Sequence, residues 1–269
     1  MAAIDLDAYC NRIGYSGPRA PTVEVLAEIQ RRHTQTIAFE NLDPLLRRPV
    51  KLDVESLQQK LVHGGRGGYC FEQNLLLSQI LQALGFSVVG LAARILWNIP
   101  DGVVMPRGHM LLCVDVDAQR YIVDVGFGIL TPTGPLRLEP DVEQATPHEP
   151  FRLRRDGEEF ISQAQVLGKW RAIYRFNLQR QLLPDYEVMN WYLSNHPESR
   201  FVNGLIAARP DENRRYTLNN NEFTQRMLNG ETEKRVLTCV AELRDVLTDV
   251  FRLTLPEIPT LDATFEKLF

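Results

Sequence analysis

The sequence predicts an α+β protein in three parts, with helices first, antiparallel strands next and a mixed segment last. Two observations support this prediction. Apolar residues recur at helical spacing up to about residue 85, and short β-branched and aromatic runs separated by turn residues follow. We place the three parts at residues 1–86, 87–195 and 196–269.

Three helices are predicted in the N-terminal part. The first opens at Pro21, a residue favoured in a first helical turn. The second begins at Asp53, a good N-cap residue. The third runs from Cys70 to a stop at Gly85, after the glycines of residues 64–68 have ended the second helix.

The central part reads as an antiparallel sheet or barrel. Its short runs are separated by turns, and one hairpin turn is predicted at residues 117–120. The C-terminal part combines strands with one amphipathic helix. The apolar face of that helix consists of Val240, Leu243, Leu247 and Val250.

Composition and charge argue against several classes of protein. The net charge is −4 and the pI about 5.8, whereas a nucleic-acid binder normally carries a basic excess. No apolar run has the length of roughly 20 residues that a membrane helix needs, and the first residues do not resemble a secretory signal. We therefore expect a cytoplasmic protein with neither a nucleic-acid nor a membrane partner.

Four cysteines are spread through the chain without any CxxC pair. That distribution predicts neither a disulfide framework nor a zinc site, and we expect no bound metal. Cys10, Cys113 and Cys239 are interpreted as structural residues, since most cysteines behave as small buried hydrophobes.

Cys70 differs from the other three because it lies where a glycine-rich loop becomes a helix. The unpaired amides and positive dipole of a helix N-terminus favour thiolate, which is the nucleophilic form. A nucleophile also needs a base. A structural role remains the alternative for Cys70.

His109 and Asp124 are the candidate partners of Cys70. His109 heads an apolar strand, and Asp124 lies in a buried stretch, where a histidine Nδ1–H would be a natural partner. A turn at 117–120 would pair Asp124 with Cys113, four positions or roughly 13 Å from His109. A bulge, strong twist or another register would have to close that gap.

Structural interpretations of the two residues also remain open. His109 could be a polar residue at a strand end whose hydrogen bonds are satisfied locally. Asp124 could cap a turn made by Gly126 and Gly128.

Four stretches together resemble the arylamine N-acetyltransferase family along nearly the whole chain. They are the IAFENLD segment (37–43), RGGYCFEQN (66–74), RGHMLLCV (107–114) and VDVGFG (123–128). The cysteine segment is the most specific of them. The order of Cys, His and Asp along the chain is also that of the family.

The resemblance implies a helical bundle, a central β-barrel and an α/β lid around a cysteine-protease-like Cys-His-Asp core. It implies Cys70 as nucleophile, His109 as base and Asp124 as the residue that orients it. The implied reaction is two-step: acetyl-CoA acetylates Cys70, and an aromatic amine, hydrazine or hydroxylamine then takes the acetyl group. Acetyl-CoA is a co-substrate, and the implied enzyme is a monomer or homodimer.

The resemblance also suggests which residues bind the substrates. Phe39 and Phe127 would line an apolar slot for a flat amine, with Gly126 and Gly128 letting that wall approach the thiol. We expect the cofactor-binding residues to be Gly108, Ser199 and Phe201, and the supporting ion pair to be Arg66 with Glu40.

Two positions depart from the family pattern. Ala38 stands where many members have proline, and Gly108 stands where many have threonine. The second change removes a hydroxyl that would contact the cofactor.

Three alternatives share parts of this pattern. A related amide synthase would use the same triad on a polyketide substrate, and a cysteine hydrolase would cleave peptides without CoA. A non-catalytic binding module would tolerate loss of the triad, whereas all three residues are present here.

Overall fold

A computed structural model describes residues 4–100 and 102–269. Residues 1–3, the start of the predicted N-terminal part, and Asp101 of the central part lie outside the described residues. No helix in these two ranges is both long enough and apolar enough to cross a membrane.

The N-terminal region contains five helices and a two-residue strand within the described residues. The helix predicted to open at Pro21 begins at Val23, and Thr22 caps it by accepting a hydrogen bond from the Val25 N–H. Pro21 therefore precedes this helix, and the prediction that it opens the first turn is wrong. Asp53 caps the helix that begins at Val54, as predicted. The elements are α1 (Leu6–Arg12), α2 (Val23–Thr36), β1 (Phe39–Glu40), α3 (Leu42–Leu45), α4 (Val54–Leu57), which continues as a π-helix over Gln58–His63, and α5 (Cys70–Ala83).

The central region is an antiparallel sheet of seven strands in the order β5-β4-β3-β2-β8-β7-β6. The stretch after β5 exchanges both backbone hydrogen bonds with β6 at Gln144 and Phe151, so the sheet is a nearly closed barrel. Its strands are β2 (Ser87–Ile95), β3 (His109–Val116), β4 (Gln119–Val123), β5 (Leu136–Arg137), β6 (Phe151–Asp156), β7 (Glu159–Val166) and β8 (Lys169–Phe176).

Strand β3 joins the helices to the barrel because its two faces lie in different cores. Met110, Leu112 and Val114 pack with the residues of the N-terminal helices. Leu111 and Cys113 point into the barrel. Side chains alternate along a strand, so His109 lies on the barrel face at the end of β3.

The β3–β4 hairpin is tighter than the sequence predicted. Its turn consists of Asp117 and Ala118, both with positive φ, as in type I′ turns. Cys113 therefore pairs with Ile122, and the predicted turn at 117–120 and the pairing of Asp124 with Cys113 are wrong. The correct register brings Asp124 two positions, about 6.6 Å, closer to His109.

The C-terminal region contains two helices, a sheet and two further short helices. The sheet has the order β1-β9-β10-β11-β12, so its edge strand comes from the N-terminal region through the pairing of Phe39 with Ala208. The elements are α6 (Leu183–Asn195), α7 (Arg200–Asn203), β9 (Ile206–Pro210), β10 (Arg214–Asn219), β11 (Glu222–Met227), β12 (Thr232–Val236), α8 (Val240–Asp245), continued by the π-helix Val246–Val250, and α9 (Leu261–Phe265) with the 3₁₀ turn Glu266–Leu268.

Candidate active site

Cys70 is the first residue of α5, as the sequence predicts, and it is buried with 3% of its surface exposed. The Tyr69 N–H just before it donates to Glu72 Oε2 at 3.0 Å, which secures the start of the helix. The remaining first-turn amides and the positive end of the helix dipole face the region of the thiol.

His109 and Asp124 are in direct contact. His109 Nε2 lies 2.7 Å from Asp124 Oδ2, and both side chains are buried. The nitrogen facing the carboxylate is thus Nε2, and the expectation of Nδ1 is wrong. Cys70 lies close enough to His109 to affect the pKa of the imidazole, and Nδ1 is the ring nitrogen that does not face Asp124. The thiol's second contact is the Gly108 carbonyl oxygen, at 3.7 Å from Sγ.

The electrostatics of this row favour a charged imidazole. Burial disfavours the imidazolium, but the charge of Asp124, the hydrogen bond that His109 donates to it and the nearby Cys70 outweigh burial and raise the pKa of His109 to about 10. His109 is therefore protonated at neutral pH, with its charge balanced by the carboxylate.

Asp124 is held by the backbone and by Asn74 as well as by His109. Its Oδ1 accepts hydrogen bonds from the Gly126 N–H at 2.8 Å and from Asn74 Nδ2 at 3.1 Å. Asn74 Oδ1 accepts in turn from the Val125 N–H. Asp124 therefore caps the turn at Gly126 and faces His109 at the same time, so both sequence interpretations describe real contacts.

Aromatic rings surround the far side of His109. The Phe127 ring meets it edge-on with centroids 5.3 Å apart, and the Tyr174 ring lies at 5.0 Å. Tyr174 lies on β8 and is completely buried. Burial raises the pKa of its hydroxyl, and the nearby Asp124 carboxylate raises it further.

Two glycines allow the wall of the site to approach Cys70 closely. A Cβ on Gly126 would lie 2.6 Å from the Cα of Cys70, so only glycine fits there without movement. Gly128 has a φ of +89°, and a Cβ on it would lie 3.2 Å from Phe39 Cγ. Phe39 thus packs against the Gly128 wall, across from Phe201 at a centroid distance of 6.1 Å.

A buried ion-pair network supports the cysteine loop from behind. Arg66 donates from Nε and Nη2 to Glu40 Oε1 at 3.0 and 2.8 Å. Lys60 Nζ lies 2.6 Å from both Asp43 Oδ2 and Glu72 Oε1. Burial raises the pKa of Glu72 to about 7 against the opposing effect of Lys60. The network ties β1 and α3 to the first turn of α5.

The three residues expected to contact the cofactor, Gly108, Phe201 and Ser199, each make contacts within the protein. Gly108 contributes its carbonyl to the thiol. Phe201 packs on Phe39 and on Tyr69, the latter at 5.5 Å between centroids. The Ser199 hydroxyl caps α7, because it donates to the Leu193 carbonyl and accepts from the Phe201 N–H.

Asn74 and Tyr174 were not among the residues singled out from the sequence. Asn74 lies four residues after Cys70, which places both on one face of α5, and that spacing was a usable signal. Tyr174 reaches the site only because β8 pairs with β2, and nothing local in the sequence shows it. Within residues 4–100 and 102–269, no group of three or more His, Cys, Asp or Glu side chains could hold a metal ion.

Comparison with known proteins gives a consistent result. The profile of a family described as N-acetyltransferase matches residues 22–259. An arylamine N-acetyltransferase of Mycobacterium tuberculosis is 43% identical over 260 residues, which is 95% of this chain and 92% of that protein. The chain belongs to the arylamine N-acetyltransferase family. Membership makes it an acyltransferase.

Two further members of the family add detail. The structure of Mycobacterium marinum arylamine N-acetyltransferase in complex with CoA superposes with a TM-score of 0.95 at 40% identity, covering 98% of this chain and 99% of that one. A Salmonella typhimurium relative named arylamine N-acetyltransferase / N-hydroxyarylamine O-acetyltransferase is 37% identical over 94% of this chain and 90% of its own length. These matches establish the predicted fold of helical bundle, barrel and α/β lid.

Proposed function

We propose that this enzyme transfers the acetyl group of acetyl-CoA to arylamines, arylhydrazines and arylhydroxylamines through an acetyl-Cys70 intermediate. The observation that carries the proposal is the buried row of Cys70, His109 and Asp124 at the start of α5. The M. marinum relative solved with CoA supports the donor class, and the S. typhimurium relative's name supports hydroxylamine acceptors.

In the first half-reaction, Cys70 attacks the thioester carbonyl of acetyl-CoA. The imidazolium of His109 favours the thiolate of Cys70, and Asp124 fixes the imidazolium. The C–S bond to CoA breaks as the bond to Cys70 Sγ forms. The departing CoA thiolate takes a proton from His109, which leaves the imidazole neutral. Backbone amides near Cys70 stabilise the oxyanion.

In the second half-reaction, the amine nitrogen attacks the carbonyl of acetyl-Cys70. Neutral His109 accepts the proton that the amine loses, so the imidazolium is restored. The bond to Sγ breaks, and Cys70 leaves as thiolate beside that imidazolium. The acetylated amine departs, and the enzyme has returned to its starting state. The two substrates thus react in separate steps, which predicts ping-pong kinetics.

The aromatic residues around the thiol provide the acceptor slot. Phe39 and Phe127 present apolar faces to a flat ring, while Gly126 and Gly128 bring the wall close to Cys70. For the donor, we assign cofactor contact to Gly108, Ser199 and Phe201. In the case of Ser199 such a contact would use its backbone or a hydroxyl already engaged in capping α7.

The proposal is tested by intact-protein mass spectrometry after mixing with acetyl-CoA and no amine. Wild-type enzyme should gain one acetyl group and lose it on addition of 4-aminobenzoate or isoniazid. Cys70→Ala should gain none, whereas the control Cys113→Ala should behave as wild type because Cys113 lies inside the barrel. A wild-type enzyme that gains no mass would contradict acetyl-CoA as donor, and acetylation of Cys70→Ala would contradict the nucleophile.

A further inference from the structure

A chain of three buried side chains lies behind the cysteine loop, outside the proposed triad. Tyr9 of α1, His33 of α2 and Gln73 of α5 each have no exposed surface. The Tyr9 hydroxyl lies 2.8 Å from His33 Nδ1, and His33 Nε2 lies 3.1 Å from Gln73 Oε1. The chain therefore connects three helices through one imidazole ring.

Two backbone carbonyls determine which atoms in this chain donate. Gln73 Nε2 donates to the Gly68 oxygen at 2.7 Å and to the Ala38 oxygen at 3.2 Å. Carbonyl oxygens only accept, so the amide nitrogen must face them and its oxygen must face His33. His33 Nε2 must then carry a proton, and in the neutral ring Nδ1 accepts from the Tyr9 hydroxyl.

Neutral His33 is therefore held in a single tautomer. Its surroundings agree, because burial lowers the pKa of His33 to about 4 despite the hydrogen bond to Gln73. The ring thus acts as a fixed donor toward Gln73 across the neutral pH range.

The two carbonyls that Gln73 holds belong to the two sides of the proposed site. Gly68 O is one end of the peptide unit that precedes Tyr69, and the Tyr69 N–H at its other end is held by Glu72. The peptide unit between Gly68 and Tyr69 is thereby fixed at both ends. Ala38 O belongs to the peptide unit that leads into Phe39.

The loop and the β1 segment also contact each other directly at this point. Gly68 N donates to the Ala38 oxygen at 3.3 Å, and Glu40 N donates to the Gly68 oxygen at 3.1 Å. A Cβ on Gly67 would lie 2.1 Å from the Ala38 oxygen. With so little space, a turned Gln73 amide would place its oxygen against two carbonyls and push the segments apart.

We propose that His33 is a positioning residue that orients the Gln73 amide and so keeps the Cys70 loop and the Phe39 segment in their reactive arrangement. The proposal rests on the proposed function only in taking Cys70 as the nucleophile. His33 touches neither substrate nor the reacting atoms in this role, and it acts through Gln73.

A pair of substitutions with similar chemistry separates orientation from mere packing. In His33→Gln the terminal amide reaches the place of Nε2 and can still donate to Gln73. In His33→Asn the shorter amide reaches only the place of Nδ1. We expect His33→Gln to form acetyl-enzyme and to react with iodoacetamide at Cys70 at close to wild-type rates, and His33→Asn to be slower by about 10- to 100-fold.

Thermal unfolding of each variant controls for lost stability. Leu26→Ala is a second control, because it removes buried volume from the same helix and a leucine side chain makes no hydrogen bond to Tyr9, His33 or Gln73. Leu26→Ala should keep the wild-type alkylation rate below its unfolding temperature. Equal alkylation rates in His33→Asn and His33→Gln would overturn the proposal. So would a rate in His33→Asn that matches Leu26→Ala.

Two measurements keep this test decisive even if the proposed function is wrong or a variant does not fold. Alkylation of Cys70, located by peptide mass, needs no acetyl-CoA, so a wild type that forms no acetyl-enzyme would refute the donor and leave the His33 comparison standing. Should His33→Asn fail to fold, ¹⁵N NMR of the wild-type histidines decides. The proposal requires a proton on Nε2 alone, and a proton on Nδ1 of His33 would overturn it.

Discussion

His33 and His109 are both buried imidazoles, but their neighbours move their pKa values in opposite directions. Burial lowers the pKa of His33 to about 4, and only neutral partners surround it in the hydrogen-bonded chain. Burial acts on His109 too, but the Asp124 carboxylate outweighs it and raises the pKa to about 10. One ring is therefore built to stay neutral and the other to stay charged.

These shifts predict opposite effects of pH on the free energy of unfolding. An unfolded histidine titrates near 6.5. Below that value the unfolded chain binds a proton at His33 that the folded protein does not bind. The free energy of unfolding therefore falls as pH decreases from 6.5 towards 4, by up to about 3 kcal/mol. The contribution of His109 is complete below 6.5 and is lost as pH rises towards 10. Urea unfolding from pH 4 to 10 should give a maximum near pH 6.5.

Three variants assign the two sides of that curve. His33→Gln should reduce the loss on the acid side, to which His148 also contributes because burial lowers its pKa to about 4. His109→Gln should reduce the loss on the alkaline side, while His63→Gln, on the surface, should leave both sides unchanged. An alkaline side that survives in His109→Gln would show that another group causes it.

Individual residues of the site differ in how far the sequence revealed them. Cys70, His109 and Asp124 were predicted from their motifs, because a nucleophile, a base and an acid each need particular residue types. The contact between His109 and Asp124 could not be derived, since it depends on a two-residue turn in which Ala118 adopts a positive φ of 64°. Alanine rarely does so, and the sequence favoured a longer turn. The choice of Nε2 also depends on ring orientation, which no sequence pattern shows.

The close approach of the Gly126 turn to helix α5 gives a prediction about a backbone contact. Gly126→Ala would place a methyl group 2.6 Å from the Cys70 Cα, so turn or helix must shift. We expect formation of acetyl-enzyme to slow by about tenfold or more. Gly134→Ala is the matched control, because its new Cβ would lie an ordinary 3.6 Å from Pro147 Cδ. Quenched-flow mass spectrometry of both variants measures the rate of acetyl-enzyme formation. Equal rates in Gly126→Ala and Gly134→Ala would contradict the prediction.

The sequence predicted the longer elements and missed the shortest ones. Helix α5 spans Cys70–Ala83 and ends before Gly85, close to the predicted limits. Strands β1 and β5 have two residues each, and two residues show no periodicity that a pattern could detect. The pairing of β1 with β9 was equally invisible, because it joins segments far apart in the chain.

Barrel and lid are joined by a mostly buried ion pair. Arg215 of β10 donates to Glu149, which precedes β6, at 2.7 Å, and to the Thr131 oxygen at 3.0 Å. The Thr131 hydroxyl accepts from the Gly128 N–H at 2.7 Å. The pair thus connects the lid sheet to the segment that forms one wall of the site.

Removal of one partner from that pair should destabilise the whole protein. Arg215→Met leaves the Glu149 carboxylate without its main partner, and such changes cost about 3–5 kcal/mol. Arg244→Met, which breaks the exposed pair with Asp262, should cost about 1 kcal/mol or less. Urea unfolding of the two variants measures the difference. Equal losses would show that the barrel–lid contact adds no more than a surface pair.

The pairing of β1 with β9 also determines when during synthesis the site is completed. Phe39 leaves the ribosome early, but its strand partner Ala208 follows much later. At about 5–20 residues per second, the delay is on the order of ten to thirty seconds. Throughout that time the Phe39 segment, which forms one side of the proposed acceptor slot, lacks its partner strand β9. A nascent chain therefore carries Cys70 long before the strand that flanks Phe39 exists, and under the proposed function acetyl transfer must wait until that strand has been made.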